Sequence, residues 1–253
     1  MTEVNLVTAI RDTLRDEMAA DDRIVLLGED VGARGGVFKV SEGFLEEFGE
    51  ARVIDTPLAE SGIVGIAIGM ALDGLLPIAE IEFADFIHPA FDQIVSEAAR
   101  MRYRTAGDWT VPLVIRAPCG GGIHGALYHS QSIEVFYAHV PGLKVVMPST
   151  PGDAAGLLRS AIRDPDPVLF LEHKKCYRLI SGEVDGGGAS IPIGVADVKR
   201  EGSDLTVISY GYELHRCLDA AARLAEDEGI QAEVVDVRTL APLDLDTILA
   251  SVR

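Results

Sequence analysis

From Ser61 to Leu72 the chain carries no charge, and the residue that opens this run, Glu60, is an acid. The run reads S-G-I-V-G-I-A-I-G-M-A-L. It is apolar on all sides of a helix, so Ile63–Leu72 is expected as a fully buried helix. A carboxylate at the mouth of such a segment is not expected to be a solvated surface group. Desolvation disfavours its charged form, so it can hold or exchange a proton near neutral pH. That is what a buried general acid or base needs. Gly62, Gly65 and Gly69 each cost the helix about 1 kcal/mol against alanine. Gly65 and Gly69 lie one turn apart on one face, so another backbone is expected to pack closely there. That backbone belongs either to the same domain or to a second subunit, with Glu60 at the edge of the interface.

Around this segment strands and helices alternate. Asn5 caps a first helix with Leu6, Ile10, Leu14 and Met18 on one face. Ile24–Gly28 reads as a buried strand and Asp30–Gly36 as an irregular glycine-rich stretch. Val53–Ile54 is a short strand, Ile78–Phe83 a strand, Pro89–Tyr103 an amphipathic helix. Leu113–Ala117 and Leu143–Met147 are further strands. Thr150, Pro151 and Asp153 signal the start of a helix that runs to about Arg163, and Val168–Leu171 is the next strand. This order predicts an α/β fold with a mostly parallel sheet covered on both faces. Residues 1–182 form the first domain. Residues 183–203, with Gly186-Gly187-Gly188, read as a linker. Residues 204–253 carry one fresh β-α-β unit and a last helix, read as the start of an incomplete second α/β domain.

The net charge of −18 excludes a nucleic-acid binder, which needs basic patches for phosphates. A partner with a basic surface fits better, and the first 60 residues, with 14 acids and 6 bases, are one candidate acidic surface. Cys119, Cys176 and Cys217 are far apart and odd in number, as in a reduced, cytoplasmic protein. No apolar run approaches the roughly 20 residues that span a bilayer. Six per cent aromatic content with many Ala, Val, Ile, Leu and Gly suits an α/β enzyme.

Cys119–Gly125 contains G-x-G-x-x-G after a strand, but Val145-Val146-Met147 offers no acid where a dinucleotide site wants one. A glycine-rich loop approaching a ligand or a subunit is the better reading. His129 follows that loop at a probable helix start, a position that favours function. His124 and His129 are off the i, i+4 metal spacing, and His88, His139, His173 and His215 read as structural. H-E-x-x-H, G-x-S-x-G and Walker patterns are absent, which leaves zinc hydrolysis, serine hydrolysis and ATP use unsupported.

Several motifs then fall in order: G-E-D-V-G (28–32), G-G-V-F (35–38), D-T-P-L-A-E-S-G-I-V-G (55–65) and A-E-I-E-F-A-D-F (79–86). They continue with F-D-Q-I-V (91–95), H-G-A-L-Y-H-S-Q-S (124–132), P-G-L-K-V-V (141–146) and A-I-R-D-P-D-P-V (161–168). Across essentially the whole chain this resembles the β subunit of the thiamine-diphosphate-dependent, decarboxylating component of 2-oxo acid dehydrogenase complexes. The 124–132 stretch is most similar to branched-chain enzymes; pyruvate and acetoin relatives stay open.

The resemblance implies a transketolase-like fold, with this chain as the pyrimidine-binding half of an α2β2 heterotetramer. It implies that Glu60 hydrogen-bonds a ring nitrogen of the aminopyrimidine and that Phe86 packs against that ring. Glu82 stands near the cofactor where branched-chain relatives usually carry Gln. His129 faces the reacting centre, binding the 2-oxo acid or assisting acyl transfer to the lipoyl group of an acyltransferase core. Leu113, Ala161, Ile162, Asp164 and Asp166 match positions around a monovalent cation, potassium by the resemblance. The family's partner chain holds Mg²⁺ and the diphosphate with a Gly-Asp-Gly motif, which does not occur here, so this chain is expected to be inactive without an α subunit. The resemblance also implies that the family's carboxyl-terminal part, which helps hold the tetramer, lies beyond residue 253. A non-catalytic scaffold of the same fold is the rival reading.

Overall fold

The computed structural model describes residues 2–253. A short strand, β1 (Thr2–Asn5), leads into α1 (Leu6–Ala20), and Asn5 Oδ1 accepts the Thr8 N–H at 2.9 Å to cap it. The apolar row Leu6, Ile10, Leu14 and Met18 is fully buried, as its spacing predicts. Then follow β2 (Ile24–Gly28), α2 (Phe44–Phe48), β3 (Val53–Asp55), α3 (Glu60–Leu72), β4 (Leu76–Glu80), α4 (Met101–Arg104), β5 (Val114–Cys119) and β6 (Lys144–Val146). α5 (Pro151–Ile162) starts on the expected cap, Thr150 Oγ1 accepting the Asp153 N–H. After it come β7 (Val168–His173), α6 (Cys176–Leu179), β8 (Ser181–Val184), β9 (Asp197–Arg200), β10 (Leu205–Ser209), α7 (Gly211–Asp227), β11 (Ala232–Asp236), β12 (Thr239–Ala241) and α8 (Leu245–Val252).

The main sheet has seven strands in the order β12-β6-β7-β5-β4-β2-β3, all parallel except β12. One face is covered by Ile63, Val64, Ala67 and Ile68 of α3 with Ile94, Ala98 and Tyr137. The other is covered by α1, α5 and Phe44 of α2. The chain therefore leaves β2 toward the α1 face and leaves neighbouring β4 toward the α3 face. Two adjacent strands whose exits diverge open a crevice beyond their carboxyl ends, where open α/β sheets bind ligands.

Three expectations change. The helix after Glu60 is not fully buried: Gly65, Ile66, Gly69 and Leu72 lie on an exposed stripe, with Ile66 56% exposed. Residues 89–103 are not one α-helix. A 3₁₀ turn at His88–Ala90 precedes a π-helical stretch, Gln93–Ala98, in which Ala99 N–H reaches back five residues to Ile94 O at 2.9 Å; α4 follows after a turn. The wider winding still buries Ile94, Ala98 and Met101, which is why the apolar spacing looked helical. The stretch read as a linker, residues 183–203, contains the end of β8, antiparallel to β1, and the whole of β9, antiparallel to β11 in a second sheet of order β10-β11-β9. β12 then returns to the main sheet beside β6, so the second unit is tied into the first by a strand.

Candidate active site

Glu60 is the first residue of α3 and is 9% exposed. None of the ion pairs among the described residues involves it. It stands beside the carboxyl end of β2, where Glu29 and Asp30 follow Gly28. Asp55, at the end of β3, holds this turn by accepting the Gly32 N–H at 2.6 Å. Across the crevice, β4 runs on into Glu82. The carboxylates of Glu29, Asp30 and Glu82 lie within 4.8 Å of one another. Arg34 pairs with Asp30 at 2.8 Å. Burial, with the charges of Asp30 and Glu60, raises the Glu29 carboxyl above the usual range. Burial, with Glu29 and Asp30, does the same to Glu82, against a smaller opposing effect of His129.

Beyond Glu82 the chain turns through Ala84–Phe86, which presents two rings to His129. The imidazole lies edge-on to Phe83 at 4.6 Å and to Phe86 at 5.3 Å between centroids. His129 Nδ1 is 3.0 Å from Gly125 O. A carbonyl can only accept, so Nδ1 carries a proton, and in the neutral ring Nε2 is left as an acceptor. A side chain on Gly125 would strike the Cβ of His129, so glycine is required for this approach. Electrostatic coupling runs from Glu60 to Glu29, from Glu29 to Glu82 and from His129 to Glu82, and the His129 ring packs against Phe83 and Phe86.

Glu29 and Asp30 escaped sequence reasoning as functional residues. They read as two more acids in an acidic segment, and only the pairing of β2 with β4 brings them to Glu82. Beneath the crevice lies a second feature that was missed. Arg116 in β5 gives Nε and Nη2 to Glu172 at 2.7 and 2.8 Å and Nη1 to Glu80 at 2.6 Å; Tyr177 OH donates to Glu172 at 2.5 Å. All four are buried. Burial, and then the nearby Glu172, raise the Glu80 carboxyl despite Arg116. Burying such charges costs several kcal/mol per ion before pairing offsets it. The network ties β4, β5 and β7 together through the middle of β5. A signal for it existed: Glu80 and Arg116 are lone charges within otherwise apolar strands.

Leu113, Ala161, Ile162, Asp164 and Asp166 lie at the amino ends of β5 and β7, around the turn between α5 and β7. Leu113 O accepts the Val168 N–H, and Ala161 O accepts the Asp164 N–H. The side chain of Asp164 is engaged by Lys144 at 2.5 and 2.6 Å, and that of Asp166 by Arg102 at 2.6 Å. The oxygens left to a cation there are mainly backbone carbonyls. The histidines read as structural make packing contacts: His173 stacks on Tyr212, and burial pushes it down to about 4; His215 bonds Ser149 O at 2.8 Å.

No helix among the described residues is long and apolar enough to cross a membrane. The profile described as transketolase, pyrimidine binding domain, matches residues 2–179, and that of transketolase, C-terminal domain, matches residues 194–253. The chain is 59% identical to 2-oxoisovalerate dehydrogenase subunit beta of Bacillus subtilis, over 98% of this chain and 76% of that protein. It is 54% identical to pyruvate dehydrogenase E1 component subunit beta of the same organism, over 100% and 77%. A solved structure titled split gene transketolase, inactive beta4 tetramer, superposes with a TM-score of 0.78 at 25% identity, covering 98% of this chain and 76% of the other.

Proposed function

Because the chain belongs to the transketolase-like β subunits of 2-oxo acid dehydrogenases, we propose that it is the pyrimidine-binding half of an enzyme that oxidatively decarboxylates a branched-chain 2-oxo acid. The observation that carries this reading is the row of coupled groups from Glu60 through Glu29 and Glu82 to His129, whose ring packs on Phe86. The donor set fits an aminopyrimidine: a buried acid, Glu60, with no ion-pair partner among the described residues, and an aromatic pair, Phe83 and Phe86, packed against His129. When bound, thiamine diphosphate supplies the carbon that bonds the keto carbon and takes up the electrons left as carbon dioxide departs.

This chain's part is to bind, orient and move protons. Glu60 hydrogen-bonds a ring nitrogen of the pyrimidine. Phe86 packs the ring. His129 presents Nε2 as an acceptor to the oxo acid or to the lipoyl thiol that receives the acyl group. Glu29, Asp30, Glu60 and Glu82 place four carboxyls against one guanidinium, that of Arg34. An anionic diphosphate is repelled from such a place at close range. The cofactor's phosphates therefore belong to a partner α subunit; their Mg²⁺ is assigned there with them because this chain has no Gly-Asp-Gly motif, and this chain alone is inactive. The exposed Gly65–Gly69 stripe and the exposed side chains of Leu58, Leu127, Tyr128 and Phe136 offer that partner an apolar rim around the crevice. The carbonyls of Leu113 and Ala161, with the 161–166 turn, would hold potassium, a hard ion suited to oxygen ligands. The acyltransferase core and a cytoplasmic location follow from the same reading.

The test is co-expression with an α subunit bearing Gly-Asp-Gly, then dye-reduction assays on 2-oxoisovalerate and pyruvate with thiamine diphosphate and Mg²⁺. Faster turnover of 2-oxoisovalerate supports the reading. A preference for pyruvate would move the substrate to the alternative that the 54% relative represents. No turnover of any 2-oxo acid in an assembled complex would make the chain a scaffold.

A further inference from the structure

His129 sits in a loop with little to hold it. Gly120, Gly122, His124 and Ala126 all have positive φ, and Ile123, Leu127 and Tyr128 are exposed. The Gly125 carbonyl is local, four residues away, and moves with the loop. Outside anchors meet the chain just after His129. Ser130 N–H and Gln131 N–H both donate to Asp85 Oδ1, at 3.1 Å each, and Gln131 O accepts the Gly120 N–H at 2.8 Å. Asp85 is 8% exposed. Its other oxygen, Oδ2, is buried without a hydrogen-bond partner among the described residues. A carboxylate that leaves one buried oxygen unpaired is poorly placed for stability. Asp85 is also the residue before Phe86, in the 3₁₀ turn whose flanking rings, Phe83 and Phe86, box the imidazole. Lys174, buried with Nζ 5.5 Å from the centroid of Phe83, closes the far side of that ring.

We propose that Asp85 is a positioning residue for His129: one short turn supplies both the aromatic wall against the ring and the carboxylate that clamps the backbone behind it. The register is fixed by the two N–H donors, so His129 Nε2 is aimed by the same turn that packs Phe86. This rests on the functional reading above for its consequence in catalysis, and on the hydrogen bonds alone for the clamp itself.

Two arms test it. In the first, amide hydrogen exchange is followed in the purified chain. Ser130 and Gln131, only half-buried, are expected to be protected well beyond Leu127 and Tyr128. Asp85→Ala should speed their exchange by about tenfold or more, while Asp85→Asn, which keeps an acceptor oxygen, should leave it nearly unchanged. In the second arm, the variants are assembled with the α subunit. Asp85→Ala should lower kcat by about tenfold to a hundredfold, the scale of a misplaced catalytic group, with thiamine diphosphate affinity retained and with rescue by Asp85→Asn. Unprotected Ser130 and Gln131 in the unsubstituted chain would overturn the clamp without any variant having to fold. Equal losses of kcat and cofactor affinity in both variants would overturn the positioning role. An unsubstituted complex that turns over nothing would count against the functional reading, and exchange would still decide the clamp.

Discussion

Replacing Gly65 and Gly69 with alanine separates what the α3 stripe does inside this chain from what it does outside. In a helix interior alanine is favoured over glycine by about 1 kcal/mol per position. Neither glycine has a positive φ. A Cβ on Gly69 would meet nothing within 4 Å, and one on Gly65 would touch only Gln93 Cγ, at 3.9 Å. Neither strain nor collision opposes the helix term, so the double variant should stabilise the free chain by about 2 kcal/mol. That is a rise in Tm of roughly 4–8 °C for a chain of this size. In the assembled enzyme the sign reverses. Two methyls forced between closely packed backbones cost about 1–3 kcal/mol. The chain's affinity for its α subunit should then fall by about 5–150-fold. Urea and thermal unfolding of the isolated chain measure the first effect, and sedimentation of α and β mixtures the second. A destabilised free chain would mean that the glycines serve packing within the chain. Unchanged assembly would mean that the stripe is not where the partner sits.

Glu60→Gln keeps shape and loses the proton; it should leave unfolding unchanged and cut decarboxylation by about 10²–10⁴-fold, and near-normal turnover would refute the assigned mechanism. Asp236 is fully buried, and burial together with the charge of Asp153 pushes its carboxyl up to about 7 from 3.8, against Ser149, Lys199 and the Arg238 N–H. The folded chain therefore keeps a proton the unfolded chain has lost, so this group's stabilising effect is complete below pH 3.8 and gone above pH 7. Asp236→Asn should flatten that dependence: its stability relative to the parent should rise by about 2 kcal/mol between pH 5.5 and pH 8, read by urea unfolding, and a pH-independent difference would refute the assignment. Gly142→Ala places a Cβ against the Ala99 carbonyl oxygen at φ +89°; it should destabilise the chain by about 1–3 kcal/mol, and an unchanged urea midpoint would show that the π-helical stretch yields freely.

What was legible in the sequence is what is local. Asn5 and Thr150 cap the helices they were expected to cap, because a cap depends on residues three apart. The strand at Ile24–Gly28 and the β10-α7-β11 unit follow from apolar runs and their bounding turns. Residues 89–103 failed because Ile94, Ala98 and Met101 are buried by α- and π-winding alike. Apolar spacing does not distinguish the two windings, and the close approach of Gly142 to the Ala99 carbonyl comes from a residue more than 40 positions on. β12 was illegible because three residues carry almost no pattern, and its partner β6 lies over 90 residues away.

The site divides along the same line. Glu60 stood out because its contrast with Ser61–Leu72 is local. Glu29 and Asp30 did not, since an acid among acids shows nothing until β2 pairs with β4 and sets them against Glu82. That pairing changes the meaning of Glu60 as well. Alone, it is an acid beside a buried helix; among its neighbours it is one of four carboxyls, of which Glu29 is raised by burial and the charges of Asp30 and Glu60, and Glu82 by burial and the charges of Glu29 and Asp30. Such a crowd suits the neutral pyrimidine and the positive ring of thiamine and excludes the phosphates. On the proposed reading, the electrostatics of this chain match a division of labour between two subunits: it keeps the proton chemistry and leaves the charge it cannot hold to its partner.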